Sequence, residues 1–195
     1  MINYGKQYID KDDIRAVTKV LRNDLITQGP NIEKFERALS KKFGSKYAIA
    51  VGSGTAALHL AALSLGWSKK DIVITTPNTF LATVNCISYT QATPDFVDID
   101  TATYNLDLDQ LEKKLKFFRS NKKNIKAIIA TDYAGYPCDW KKLRKLANKY
   151  RVKLINDNCH AIGASYLNSQ KYSCQYSDIT TQSFHPVKNI TTGEG

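Results

Sequence analysis

The stretch IKAIIATDYAGYPCDWKKLRKLANKYRVKLIND, residues 125–157, decides the fold. Ile125 to Ala130 is a short apolar run of the length that makes a buried strand. Trp140 to Tyr150 follows with apolar residues at helical spacing and its lysines between them. Val152 to Ile155 is a second apolar run, and two residues beyond it stands Asp157. Strand, helix and strand in about 30 residues form one βαβ unit, whose strands lie parallel.

The alternation extends in both directions from this unit. Ile72-Val73-Ile74 and Pro94 to Ile99 read as strands, and Thr79 to Tyr89 reads as a helix. Leu108, Leu111, Leu115 and Phe118 mark another helix. Tyr47 to Val51 is expected to be a short buried strand, handing over through Gly52-Ser53-Gly54-Thr55 to an apolar helix that runs through Leu65. Near the start, Ile14, Val17 and Leu21 mark one amphipathic helix and Ile32, Phe35, Leu39 and Phe43 a second. Gly29-Pro30 is the turn between them, and Gly44 stops the second helix. A last strand is expected from Asp178 to Phe184, and the lysine-rich Lys116 to Lys126 segment as an exposed connection. The pattern predicts an α/β fold with a mostly parallel, doubly wound sheet covered on both faces.

Composition excludes several classes. With 43% apolar and 24% charged residues, the 195-residue chain reads as globular. No apolar run approaches the roughly 20 residues that span a bilayer, and Met1 to Lys6 lacks the apolar core of a signal peptide. Cys86, Cys138, Cys159 and Cys174 show no metal-ligand spacing, so reduced thiols, a cytoplasmic location and no metal are expected. The net charge of +10 lies mostly on helix faces, such as Lys113-Lys114 and Lys141-Lys142-Arg144-Lys145. Without arginines interleaved with aromatics, this does not argue for a nucleic acid partner. A positive field would instead favour an anionic substrate such as a nucleotide sugar.

Four places carry candidate chemistry. Gly54 and Thr55 open a helix directly after a predicted strand, where backbone N–H groups and the helix dipole can hold a phosphate. The full dinucleotide pattern is not met, because Ala57 takes the place of its last glycine. Phe80, at the start of a later helix, could lie over a flat heteroaromatic ring. Asp157 stands at the carboxyl end of a parallel strand, where α/β sheets bind ligands, and His160 lies three residues on. In Ser183-Phe184-His185-Pro186-Val187-Lys188, a hydroxyl near the end of the last expected strand precedes a lysine. An amine able to form a Schiff base, with a carboxylate able to keep a pyridine nitrogen protonated, is what pyridoxal 5′-phosphate (PLP) requires. Each place also has a plain structural reading: turn glycines, a core aromatic, a capping aspartate, a solvated lysine.

In order along the chain, these segments resemble the DegT/DnrJ/EryC1/StrS sugar aminotransferases. The resemblance rests on Leu25-Ile26-Thr27-Gln28-Gly29-Pro30, Ser53 to Leu60, Thr76 to Asn85, Phe96 to Asp100 and the Lys188 motif. It implies a fold-type-I PLP-dependent large domain, a homodimer with shared active sites, and L-glutamate as amino donor. Lys188 is then the Schiff-base lysine and Asp157 the partner of the pyridine nitrogen. Phe80 stacks on the ring, His160 reaches the cofactor, and Gly54, Thr55 and Ser183 hold its phosphate. Tyr4, Asp24, Leu25, Ile26 and Thr27, with Gly54 and Ser183, are implied to contact the sugar nucleotide. Asp132-Tyr133-Ala134-Gly135, Asp157 to Gly163 and Ser183-Phe184-His185 are most similar to the branch of pseudaminic acid biosynthesis. That branch aminates C4 of a UDP-4-keto-6-deoxy-N-acetylhexosamine.

Two departures from the family pattern stand beside Asp157. Asn156 replaces an acidic residue, and Asn158 replaces a small one that leaves room for the cofactor. By the same resemblance, residues 1–195 are an N-terminal segment and most of the large domain, with the C-terminal small domain absent. Rival expectations are a PLP-dependent sugar dehydratase, against which Lys188 argues because such relatives carry histidine there, and an inactive truncated chain.

Overall fold

The computed structural model describes residues 5–195. Five strands form one parallel sheet: β1 (Ile72–Thr75), β2 (Thr93–Phe96), β3 (Ile125–Thr131), β4 (Lys153–Asp157) and β5 (Ile179–Thr181). Their order is β2-β1-β3-β4-β5. The chain steps outward from β1 to β2, then returns past β1 to lay down β3, β4 and β5. That reversal sends the crossover helices to opposite faces.

On one face lie α5 (Leu108–Ser120), α6 (Trp140–Tyr150) and the short α7 (Tyr172–Tyr176). Leu111, Leu115, Trp140, Leu143 and Tyr172 pack there on Ile74, Ile128, Ala130 and Leu154. On the other face, α3 (Gly54–Ser64) and α4 (Leu81–Tyr89) bring Leu58, Ala62, Cys86 and Ile87 onto Val73, Ala127, Ile129 and Ile155. Successive residues of β3 thus serve opposite cores, the period-2 pattern of a strand buried on both sides. Each fully buried Ile or Leu contributes about 1.5–3 kcal/mol of transfer free energy.

The βαβ unit at 125–157 is where expectation and structure agree best. α6 begins after Asp139, whose carboxylate accepts from Lys142 N at 3.0 Å, and ends where Arg151 turns left-handed at φ 57°. Asp157 is the last residue of β4 and lies opposite Thr131, the last residue of β3.

Several expectations are corrected. Tyr47 to Val51 forms no strand, and Tyr47 and Ile49 are 72% and 78% exposed. An apolar run is a strand only where an edge is there to pair with it, and here the Ala50 N–H is taken by the Glu36 carboxylate at 2.8 Å. The last strand covers only Ile179–Thr181, because Phe184 leaves the sheet for a small core with Phe43 and Ile162. β2 ends at Phe96, so Val97 to Ile99 lies beyond it. α4 starts at Leu81 rather than Thr79. Lys116 to Ser120 is the last part of α5, and Ile125 and Lys126 open β3, which leaves only residues 121–124 as connection.

α1 (Lys11–Leu21) and α2 (Pro30–Phe43) have the amphipathic pattern expected. Phe43 of α2 is buried. α1 buries nothing among the described residues: Ile14, Val17 and Leu21 are each 59% exposed. Among the described residues no helix is long and apolar enough to cross a membrane.

Candidate functional site

The carboxyl ends of β3, β4 and β5 and the first turns of α3 and α4 converge on one region. Asp157, only 2% exposed, is gripped at both oxygens. Thr83 of α4 donates its hydroxyl to Asp157 Oδ2 at 2.6 Å, and the Cys159 amide donates to Oδ1 at 3.3 Å. A carboxylate oxygen has two lone pairs, so each retains acceptor capacity for a ligand.

Lys188 is half-buried on a turn, its amide donating to the His185 carbonyl at 2.8 Å. The turn is anchored by Phe184, which packs edge-on against Phe35 of α2 at 5.1 Å and whose carbonyl accepts from Thr191 Oγ1 and Thr192 N. Lys188 and Asp157 both act on His160. Burial holds the imidazole below its ordinary range, the Lys188 charge lowers it further, and Asp157 pulls the other way. The same two charges bear on Cys159, whose thiol is raised by burial and then by Asp157, with Lys188 opposing. The charges of Lys188 and Asp157 thus bear in opposite directions on one imidazole and one thiol. Cys86, behind Asp157, is pushed up to about 12, by burial first and by Asp157 second.

Gly54, the first residue of α3, meets the segment after β5. A Cβ there would stand 3.0 Å from Ser183 Cβ, 3.2 Å from Cys159 Sγ and 3.3 Å from the Gln182 carbonyl. A side chain there would force these neighbours to give by a few tenths of an ångström. Ser53 caps the helix by accepting from Ala56 N at 3.1 Å, and the Ala57 amide is taken by the Ser53 carbonyl. The amides of Gly54 and Thr55 have no acceptor among the described residues. Free N-terminal amides beside the Ser183 hydroxyl are suited to a phosphate. Thr55 is exposed at this helix start.

Phe80 is the N-cap residue of α4 and 68% exposed, its ring held by no core. Asp24, Leu25, Ile26 and Thr27 lie on an exposed segment between α1 and α2. No hydrogen bond joins them to the Lys188 turn among the described residues. Tyr4 lies outside the described residues. Gly5 packs against Val187, where its Cβ would stand 3.6 Å from Val187 Cβ.

Asn158 does not crowd the region. Its amide points to the other side of β4 and donates to Asp132 Oδ2 at 2.8 Å. Asp132, fully buried, also accepts from Cys138 N, Trp140 Nε1, Asn156 Nδ2 and the Tyr172 hydroxyl. Burial holds its carboxyl above the ordinary range, opposed by the Cys138, Tyr172, Asn158 and Trp140 donors. The sequence reading assigned no role to Asp132 or to Thr83. The one available signal for Thr83 was its four-residue spacing from Thr79 in a segment whose pattern reads as helix.

Against known proteins, the model of the DegT/DnrJ/EryC1/StrS aminotransferase family matches residues 7–195. The chain belongs to that family. It is 41% identical over 195 residues to the UDP-4-amino-4,6-dideoxy-N-acetyl-β-L-altrosamine transaminase of Campylobacter jejuni strain 81-176, covering all of this chain and 50% of that one. GDP-perosamine synthase of Escherichia coli O157:H7 is 41% identical over 169 residues, 87% of this chain and 44% of its own. Among solved structures, Helicobacter pylori PseC, an aminotransferase involved in the biosynthesis of pseudoaminic acid, superposes with a TM-score of 0.87 at 32% identity. That superposition covers 98% of this chain and 50% of PseC. The chain therefore spans about half the length of the relatives it matches.

DegT/DnrJ/EryC1/StrS aminotransferases use PLP, and a related Streptococcus pneumoniae structure is a PLP form. The residues of this chain fit that cofactor. The cradle at Gly54 would be crowded by a Cβ, the Gly54 and Thr55 amides have no acceptor among the described residues, and the Asp157 carboxylate is fixed with acceptor capacity to spare.

Proposed function

We propose that residues 1–195 are the N-terminal segment and most of the PLP-binding large domain of a nucleotide-sugar aminotransferase. The reaction moves an amino group from L-glutamate to C4 of a UDP-4-keto-6-deoxy-N-acetylhexosamine. The observation that carries this reading is the Asp157 carboxylate, held by Thr83 at the end of β4, beside the close approach of Gly54 to Ser183. The choice of sugar is supported by the 41% identity to the Campylobacter transaminase along the whole chain. Self-association into a homodimer is supported by the apolar face that α1 leaves exposed.

When bound, PLP supplies an electron sink that lets a proton leave the Cα of an amino acid. Asp157 would hold the proton on the ring nitrogen by its charge, and Thr83 with the Cys159 amide keeps the carboxylate in place. The Gly54 and Thr55 amides and the Ser183 hydroxyl would hold the phosphate. Phe80 would stack on the ring, and His160 would contact the cofactor. Lys188 would hold the cofactor through its amine, and that amine would move the Cα proton of glutamate and deliver a proton at C4 of the sugar. Tyr4 and Asp24 to Thr27 are proposed contacts of the nucleotide sugar.

The test is a PLP titration of the wild-type and Lys188→Ala chains, followed by transfer of ¹⁵N from glutamate to the UDP-keto sugar. Wild type is expected to take up PLP with the long-wavelength absorbance of a lysine-bound cofactor, and Lys188→Ala to lack it. Survival of that absorbance in Lys188→Ala overturns the assignment.

A further inference from the structure

The carboxylate of Asp157 is the end of a string of hydroxyls. Thr83 Oγ1 donates to Asp157 Oδ2 at 2.6 Å, and Thr79 Oγ1 donates to Thr83 Oγ1 at 2.9 Å. Thr79 and Thr131 hydroxyls lie 2.8 Å apart. A hydroxyl has one hydrogen, and an ionised carboxylate only accepts. Thr83 must spend its hydrogen on Asp157, and Thr79 spends its own on Thr83. Thr131 is therefore the donor in the third link. The order Thr131, Thr79, Thr83, Asp157 runs in one direction and ends on the charge, an arrangement in which each bond polarises the next.

The string crosses three elements. Thr131 and Asp157 are paired residues at the ends of β3 and β4, and Thr79 and Thr83 flank the start of α4. Phe80, the N-cap residue of that helix, stands between the two threonines, and the Thr83 amide donates to its carbonyl at 2.9 Å. Thr83 is fully buried and the Cys86 thiol donates to its carbonyl at 3.2 Å, so its side chain has little freedom. One short run of side chains thus fixes both the carboxylate that would face the pyridine nitrogen and the helix start that carries the exposed ring.

We infer that Thr83 is a positioning residue for the cofactor. Its hydroxyl, supported in series by Thr79 and Thr131, sets the orientation of the Asp157 carboxylate and ties it to the position of Phe80. The inference rests on the PLP reading above, and it assigns a function to three residues that touch neither substrate nor reacting atoms.

The test uses the 195-residue chain with Thr83→Val, Thr83→Ser, Thr79→Val and the double variant Thr79→Val/Thr83→Val. Thr90→Val is the control, since the Thr90 hydroxyl donates to the Ile87 carbonyl at the far end of the same helix. Each is titrated with PLP, its bound-cofactor spectrum recorded and its melting followed without cofactor. Thr83→Val is expected to weaken PLP binding about tenfold and to blue-shift the bound absorption maximum. Thr83→Ser and Thr90→Val should stay close to wild type in both readouts. Thr79→Val should move both in the same direction but less, and the double variant should be no worse than Thr83→Val, as a serial chain requires. If Thr83→Val does not fold, the Thr79→Val spectrum decides alone. An unshifted spectrum with unchanged affinity in Thr83→Val or, failing it, Thr79→Val overturns the inference. So does a Thr83→Ser chain as weak as Thr83→Val, which would mean that the methyl group and not the hydroxyl matters. A wild-type chain that takes up no PLP overturns the underlying reading, an outcome distinct from the other two.

Discussion

The amide of Asn158 donates to the Asp132 carboxylate at 2.8 Å, one residue past the carboxylate that receives the Thr83 hydroxyl. The end of β4 is thereby held from both sides of the sheet. Asp132 Oδ1 takes the Cys138 amide and the Trp140 indole, each at 2.9 Å, and Oδ2 takes Asn156, Asn158 and the Tyr172 hydroxyl. In Asp132→Asn an NH₂ would replace one acceptor and face donors in either orientation. Leaving buried donors unpaired costs about 1–3 kcal/mol each, so Asp132→Asn is expected to lose about 3 kcal/mol in urea unfolding. Tyr172→Phe removes one donor and should lose about 1 kcal/mol. An Asp132→Asn midpoint equal to wild type would remove Asp132 from its place as the support of β4.

Much of this arrangement was legible in the sequence, for identifiable reasons. α6 matches its expected bounds because Asp139 supplies a cap and its apolar spacing is regular. The Lys188 and Asp157 motifs lie in short local patterns and could be read together. The 47–51 segment failed because hydropathy measures a preference for burial and not the presence of a pairing edge. Asp132 was not legible as a hub, since its partners at 138, 140, 156, 158 and 172 are gathered only by the sheet. Thr83 was missed because a threonine within a helix pattern carries no sign of what its hydroxyl meets 74 residues away.

Gly54 gives a sharp steric prediction. Alanine there would press on Ser183, Cys159 and the Gln182 carbonyl, the last of which is backbone and cannot swing aside. Gly54→Ala should cost about 1–3 kcal/mol of stability, as overpacking does, and weaken PLP binding at least tenfold by displacing the helix start. Adding Ser183→Ala should restore little, because the carbonyl contact remains. Wild-type PLP affinity in Gly54→Ala would show that this close approach has no part in holding the cofactor.

His160 makes stability depend on pH in a fixed direction. Burial, with the Lys188 charge second, lowers the folded imidazole below its ordinary value of 6.5, so the unfolded chain binds a proton that the folded chain resists. Its contribution is fully present above pH 6.5 and is lost as pH falls through the lower folded value. Between pH 7.5 and 5.5 the urea midpoint should fall further in wild type than in His160→Asn. Lys188→Met should shrink the difference, because one of the two causes is gone. Equal pH dependence in wild type and His160→Asn would rule out this coupling.

The α1 face tests the homodimer. Ile14, Val17 and Leu21 form one stripe, and Leu25 and Ile26 continue the exposed apolar surface at 60% each. Fully burying such side chains yields about 1.5–3 kcal/mol apiece, so a helix capped as firmly as α1, by Asp10 and Asp13 in a reciprocal box, has a strong drive to find a cover. Sedimentation of the 195-residue chain is expected to show concentration-dependent association, and Ile14→Asp with Val17→Asp should shift it toward monomer. The same pair should leave the unfolding midpoint of dilute protein nearly unchanged, since α1 buries none of its residues among the described residues. Association that persists unaltered in the double variant would move the contact away from α1, and the exposed Tyr47 and Ile49 would then be the next surface to substitute.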